Sequence, residues 1–151
     1  MDDGALLRLL TTPHMRGRLA IVAGAIALAS CGGEPGGVPG ADLPACAGPL
    51  PADRAVKGVP SDFPIPAGAL FVESERAGPS VIVHGFYDGE IGESFDAWRA
   101  AFEDAGWTIT KDEREIVDAE VFFARGEANG QVNMFAECAG RTRLTITIRP
   151  S

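Results

Sequence analysis

The sequence predicts a small α+β domain in which one amphipathic helix covers one face of an antiparallel sheet. Between residues 94 and 106, apolar side chains recur at intervals of three, four and three residues, at Phe95, Trp98, Phe102 and Ala105. This is the spacing of one helical face. The segments around this helix alternate between apolar and polar residues, as in 143–149, which is typical of strands with one buried face. Because one helix can cover only one face of a sheet, we expect two layers.

The remaining elements follow from alternation and from turn residues. Strands are expected at 69–74, 81–86, 107–111, 119–125, 131–136 and 143–149, which gives the order ββαββββ and a sheet of five or six strands. Ala77 to Ser80 should form the first turn, and Asn129-Gly130 predicts a hairpin turn before 131–136. Ser94 is the expected N-cap of the helix and Gly106 its stop, while 112–118 should be a charged loop.

The first 30 residues have the parts of an export signal. Arg16 and Arg18 precede an unbroken run of 11 apolar or small residues, 19–29. That run is shorter than the roughly 20 residues of a membrane-spanning helix and fits the apolar part of a signal peptide. Met15 stands directly before the basic residues, so Met1 and Met15 are both candidate start residues of translation.

Leu28-Ala29-Ser30-Cys31 resembles the lipobox of bacterial lipoproteins, in which an aliphatic residue and two small residues precede a cysteine. The resemblance covers about the first 31 residues and implies cleavage between Ser30 and Cys31, followed by attachment of diacylglycerol to Cys31. Two alternatives remain for this segment. Ala27-Leu28-Ala29 also fits the A-x-A cleavage pattern, which would release a soluble protein that starts at Ser30, and residues 19–29 could instead form a buried helix.

After Cys31 the chain is rich in glycine and proline as far as residue 60, which is typical of a tether rather than of a core segment. We therefore expect a signal peptide at 1–30, a lipidated cysteine with its tether at 31–60, and the folded domain at 61–151. The net charge is −8 for the whole chain, and it becomes −9 from Cys31 onward because residues 1–30 contain three arginines and two aspartates. Such an acidic chain is not expected to bind nucleic acid, or to hold a membrane by charge.

The chain has three cysteines, an odd number for an exported protein. Assigning Cys31 to the lipid leaves Cys46 and Cys138 as a disulfide pair in an oxidising compartment. The alternative is two free thiols. A nucleophilic cysteine is disfavoured because neither residue has a histidine close to it in sequence.

Few residues indicate chemistry. His84 lies in an apolar strand, and Tyr87 and Phe135 are expected to share the sheet face that the helix leaves open, so these three form the predicted binding surface. Phe122 and Phe123 are adjacent and should therefore point to opposite faces. Cover by residues 41–60 is the alternative to an exposed aromatic surface.

The acidic run 88–93 lacks the ligand spacing of a calcium hand and is interpreted as a solvated loop.

The sequence contains no phosphate-binding glycine loop, no Gly-x-Ser-x-Gly elbow and no Cys-x-x-Cys pair, so no cofactor and no catalytic group is assigned. The lead-in Asp62-Phe63-Pro64-Ile65-Pro66 resembles that of small uncharacterised envelope lipoproteins, a likeness that implies no chemistry. The expected function is therefore a lipid-anchored envelope protein that binds or supports a partner. The alternative is a small hydrolase that uses carboxylates near His84, such as Asp88.

Overall fold

The computed structural model describes residues 42–149 and shows one helix packed on a six-stranded antiparallel sheet. The order along the chain is ββαββββ, as the sequence predicts. The sheet order is β1-β2-β6-β5-β4-β3, so the first hairpin lies beside the last strand. The elements are β1 (Ala69–Ala77), β2 (Ser80–Asp88), α1 (Ile91–Asp104), β3 (Thr108–Arg114), β4 (Asp118–Arg125), β5 (Ala128–Cys138) and β6 (Arg141–Arg149).

Helix α1 begins one turn earlier than predicted. Its N-cap is Glu90, whose backbone N–H donates to Glu93 Oε2 at 3.1 Å, and the acidic first turn suits the positive end of the helix dipole. Ser94, the predicted N-cap, is instead fully buried in the helix. The local preference of serine for a cap is overridden because Ile91 and Phe95 both belong to the buried face.

The core between helix and sheet is aromatic. Phe102 of α1 stacks on Phe123 of β4 with ring centroids 4.4 Å apart, and Trp107 meets the Phe123 ring edge-on at 5.4 Å. Phe63, from the lead-in segment, inserts beside them and lies 5.4 Å from Phe123. Asp62 pairs with Arg125, whose guanidinium lies 4.4 Å over the Trp107 ring. The Asp-Phe-Pro lead-in therefore closes one end of the core, which is a structural role.

Two glycines in the strands lie opposite phenylalanines. Gly85 pairs with Phe71, and Gly130 pairs with Phe123. A Cβ at Gly130 would overlap the carbonyl oxygen of Thr147 and lie 2.6 Å from the Phe123 ring. The ring therefore occupies the space that a side chain would fill, as cross-strand aromatics do over glycine.

This arrangement makes the predicted Asn129-Gly130 turn wrong. Both residues lie inside β5, and the chain reverses at Gly126-Glu127, between the paired residues Arg125 and Ala128. Gly126 has φ of 60°, which supplies the positive dihedral that a tight hairpin needs. The charged loop predicted at 112–118 is also shorter, because β3 continues to Arg114. Arg99 of α1 binds Asp112 at 3.0 Å, and this ion pair ties the strand to the helix.

The segment before Phe63 lies against the sheet from Pro44 onward. Ala139 N–H donates to Pro44 O at 3.0 Å, and further along Arg54 N–H donates to Phe71 O at 2.8 Å, at the β1 edge. Val56 and Val59 then pack against the core. The part of the predicted tether that follows Cys46 thus protects the edge of β1 and the helix-side face next to it.

Candidate functional surface

Cys46 and Cys138 form a disulfide, so the pairing that the sequence favours is confirmed. Cys138 ends β5 and is buried, whereas Cys46 is half-buried, and the neighbouring Ala45 and Ala139 form an isolated β-bridge. We call this end of the sheet the bridge end; it carries the β5–β6 turn, the β3–β4 turn and the start of α1. A disulfide of this kind is typical of proteins that fold outside the reducing cytoplasm.

The predicted lipidation site, Cys31, lies outside the described residues. So does the predicted signal peptide, including Ser30 at the predicted cleavage position. Within residues 42–149, no helix is both long and apolar enough to cross a membrane.

The three residues of the predicted binding surface do not share one face. His84 pairs with Thr145 of β6 and Phe135 pairs with Arg143, and both lie on the sheet face opposite α1, which we call the open face. Tyr87 pairs with Thr142, whose side chain is fully buried, and packs against the core. Tyr87 therefore belongs to the helix side.

Tyr87 lies between two glycine backbones at the bridge end. A Cβ at Gly68 would lie 3.1 Å from its ring, and one at Gly89 would lie 2.8 Å from it. Burial raises the pKa of the Tyr87 phenol, and the nearby carboxylates of Glu93 and Asp88 raise it further. The phenol thus stays neutral at physiological pH and serves as a packing group.

His84 lies beside two carboxylates of β1 on the open face. Its Nε2 lies 3.8 Å from Glu75 Oε1, beyond hydrogen-bond distance, and the imidazole is 36% exposed. Glu73 is its strand partner on β1. This geometry is a solvent-exposed contact between a carboxylate and the imidazole.

The open face carries arginine and lysine side chains stacked on aromatic rings. Arg143 lies 5.5 Å over the Phe135 ring, and Arg141 lies 5.8 Å over the Phe86 ring. Phe122 points to this face, as its parity with the buried Phe123 predicts, and Lys111 Nζ lies 5.5 Å over its ring. A hydrogen bond from Lys111 to Glu113 raises the pKa of that lysine, so it remains charged.

The most exposed apolar group was not identified from the sequence. Ile116 and Val117 form the β3–β4 turn and are 53% and 47% exposed, and Phe135 beside them is 41% exposed. Ala136 N–H donates to Val117 O at 2.8 Å, which holds the turn against β5. We call these three residues the apolar tip. Two adjacent β-branched residues inside an acidic run were the available signal.

The acidic run 88–93, interpreted from the sequence as a solvated loop, has only Gly89 and Glu90 outside β2 and α1, and it has structural partners. Glu90 Oε1 accepts a hydrogen bond from Gly140 N–H at 2.8 Å, and Gly89 O accepts one from Thr142 Oγ1 at 3.0 Å. In the described part of the chain, no three His, Cys, Asp or Glu side chains lie close enough together to hold a metal ion. The loop instead joins β2 and α1 to the β5–β6 turn.

Two shallow depressions mark opposite ends of the open face. One, of about 200 Å³, is acidic and lies at the bridge end between Glu113, Glu115, Asp118 and Glu120. The other, of about 290 Å³, lies at the far end, with the side chains of Asn129, Gln131, Thr147 and Arg149 around Phe122. Both are wide open, so neither encloses a ligand as a typical small-molecule pocket does.

Comparison with protein-family models, with curated proteins and with solved structures gives no match to this chain.

Proposed function

We propose that this chain is an exported lipoprotein, held at a membrane by a lipid on Cys31, whose folded domain acts outside the cytoplasm as a binding or structural module. The observation that carries the proposal is the Cys46–Cys138 disulfide. It accounts for two of the three cysteines, and the third is Cys31, which stands in the lipobox-like sequence.

The chemistry of the chain supports a lipid rather than a charged attachment. From Cys31 onward the net charge is −9, so electrostatic attraction to an anionic membrane is unfavourable. Diacylglycerol supplies two acyl chains at once, and two chains give stable anchoring where one is marginal. The residue after the cysteine is Gly32, and this resembles the sequence of lipoproteins that are sorted to the outer membrane. The outer membrane is therefore the location proposed for a host with two membranes.

The binding or structural role is supported by the open face. Its arginine and aromatic groups are accessible, and the depressions at its two ends are open to water. Groups of this kind are common at protein–protein contacts. A thermal-shift screen against soluble envelope components tests this role, since a ligand that binds the folded state raises the melting temperature with its concentration.

The anchor is tested by intact mass and detergent partitioning of the protein from cell membranes. Wild type should start at Cys31, carry the mass of the lipid and enter the detergent phase. The Cys31→Ser variant should lack the lipid and remain in the aqueous phase. An unmodified wild-type chain that starts at Ser30 would establish the A-x-A cleavage instead and overturn the proposal.

A further inference from the structure

We propose that the apolar tip, formed by Ile116, Val117 and Phe135, docks on the surface of the phospholipid bilayer to which the chain is anchored. This inference rests on the proposed lipid anchor and adds an orientation: the bridge end of the domain faces the membrane, with part of the open face against the headgroups.

The first observation is where the exposed apolar side chains lie. Of the four large hydrophobic residues that are 40% or more exposed in residues 42–149, three form the tip, and the fourth is Ile65. Val117 O accepts a hydrogen bond from Ala136 N–H at 2.8 Å, so the turn and the adjacent Phe135 lie at the same end of the sheet. Three exposed apolar side chains at one end of an acidic domain indicate a surface that is covered in use.

The second observation is where the chain leaves the domain. The disulfide fixes Cys46 to Cys138, which lies three residues after Phe135. Cys46 follows Cys31 by 15 residues, a length that spans at most about 50 Å when fully extended. The end of β4 that is opposite to the tip lies ~25 Å away from the tip along the strand. The anchor thus attaches to the domain at the same end as the tip.

The third observation is the polar group beside the tip. The Arg143 guanidinium stacks over Phe135 and is exposed, and within the described residues it forms no salt bridge. Guanidinium groups bind phosphate oxygens through paired hydrogen bonds, and aromatic side chains favour the headgroup region. An apolar tip with an arginine at its rim suits a phospholipid interface.

The acidic neighbours restrict the mode of docking. Glu115 and Asp118 flank Ile116 and Val117 in sequence, and Glu137 follows Phe135 closely. Attraction to anionic lipid is therefore weak, and insertion of apolar side chains must supply the interaction. We expect docking on zwitterionic bilayers to be as strong as on anionic ones, in contrast to binding through a basic patch.

The test places a fluorescent reporter in the tip. Residues 31–151, with Cys31→Ser and an N-terminal hexahistidine, are bound through nickel-chelating lipid to phosphatidylcholine vesicles that contain brominated lipid. Ile116→Trp introduces the reporter, and Ile65→Trp is the matched control, because Ile116 and Ile65 are 53% and 50% exposed. The native Trp98 and Trp107 are buried and add little quenching.

We expect at least twofold quenching of the tryptophan introduced at 116 and little at 65. Adding Val117→Asp to Ile116→Trp should reverse most of the quenching while the circular dichroism stays native. Equal quenching at the two positions, or none at either, overturns the proposal. The proposal is also overturned if the tryptophan at 116 becomes buried as the protein concentration rises and does so without lipid. A second copy of the chain would then cover the tip.

This design separates the tip from the anchor. The histidine tether replaces the lipid, so the outcome at position 116 does not depend on whether cells modify Cys31. Absence of lipid from the native protein would overturn the proposed function, and absence of quenching would overturn the docking.

Discussion

Reduction of the Cys46–Cys138 disulfide should remove a large part of the stability of this domain. The two residues are 92 positions apart, so the bridge closes nearly the whole described chain into one loop. The chain-entropy relation gives about 4–5 kcal/mol for a loop of that length. Domains of this size have a total stability of about 5–15 kcal/mol, so the reduced form is expected to be marginal.

The measurement is urea unfolding followed by the fluorescence of the buried Trp98 and Trp107. A Cys31→Ser background leaves the bridge as the only source of thiols. Oxidised protein, reduced protein and the Cys46→Ala/Cys138→Ala variant are compared, and the last two should agree. With about 4–8 °C per kcal/mol for a domain of 60–100 residues, the melting temperature should fall by roughly 20 °C or more. A loss below about 1 kcal/mol would refute the entropic reasoning.

Hydrogen exchange adds a local check of the same reasoning. The Ala139 amide donates to Pro44 O, on the segment that the bridge holds, and should exchange faster after reduction. The Phe71 amide donates to Asp53 Oδ1 at 2.8 Å, on a part of the segment that has its own contacts with β1. After reduction, the Phe71 amide should stay as well protected from hydrogen exchange, relative to the other strand amides, as it is in the oxidised protein. Equal loss at both amides would mean that the whole segment depends on the bridge.

Three further outcomes follow from the packing. Phe123→Ala should cost about 3–5 kcal/mol in urea unfolding and its neighbour Phe122→Ala about 1 kcal/mol or less, and equal costs would contradict the facing of β4. Gly130→Ala should cost about 3 kcal/mol because its Cβ meets backbone, whereas Gly126→Ala, with φ of 60° and open space, should cost about 1 kcal/mol; the reverse order would be inconsistent with the hairpin. Tyr87, the one tyrosine of the chain, should ionise above its usual pKa near 10 when absorbance is followed at 295 nm, and a normal value would argue against its burial. Since the unfolded phenol ionises first as pH rises, Tyr87 lowers stability only above about pH 10, and Tyr87→Phe should remove that part of the loss.

The helix and the strand order could be predicted because they depend on periodicity along the chain. The intervals between Phe95, Trp98 and Phe102 define one face of α1 whatever the helix packs against. The hairpin could not be placed in the same way, since two glycines four residues apart, Gly126 and Gly130, compete for the turn. The choice is made by Phe123, whose ring needs the space above Gly130, and that contact exists only after β4 and β5 have paired.

The candidate surface shows a different limit. His84 and Tyr87 are three residues apart in one strand, and side chains an odd number of positions apart point to opposite faces unless a bulge intervenes. The sequence alone therefore disfavours a surface that contains both. Phe63 is the opposite case, because no local pattern shows that a phenylalanine before a proline inserts between α1 and β4. It packs beside the Trp107 ring, which lies beneath the arginine of the Asp62–Arg125 pair.

The bridge and the apolar tip are also linked through the reach of the chain. With the disulfide formed, the point of attachment at Cys46 follows Cys31 by 15 positions. Without it, Pro44 and Gly48 are each held by a single hydrogen bond, from Ala139 and from Arg141, and two adjacent contacts with a strand begin only at Asp53 and Arg54 on β1. Opening of the segment as far as β1 lengthens the link to 22 positions and raises the maximum reach from about 50 to about 73 Å. The attachment point also moves away from the tip, to the opposite edge of the sheet.

Reduction should therefore weaken docking even where the domain stays folded, because a longer link lowers the effective concentration of the tip at the bilayer. In the vesicle assay, the Ile116→Trp chain should show less quenching after reduction, under conditions in which circular dichroism is unchanged. The Cys46→Ala/Cys138→Ala variant should match the reduced protein. Quenching that is insensitive to both changes would mean that the tip holds the bilayer by its own affinity and that the bridge does not position it.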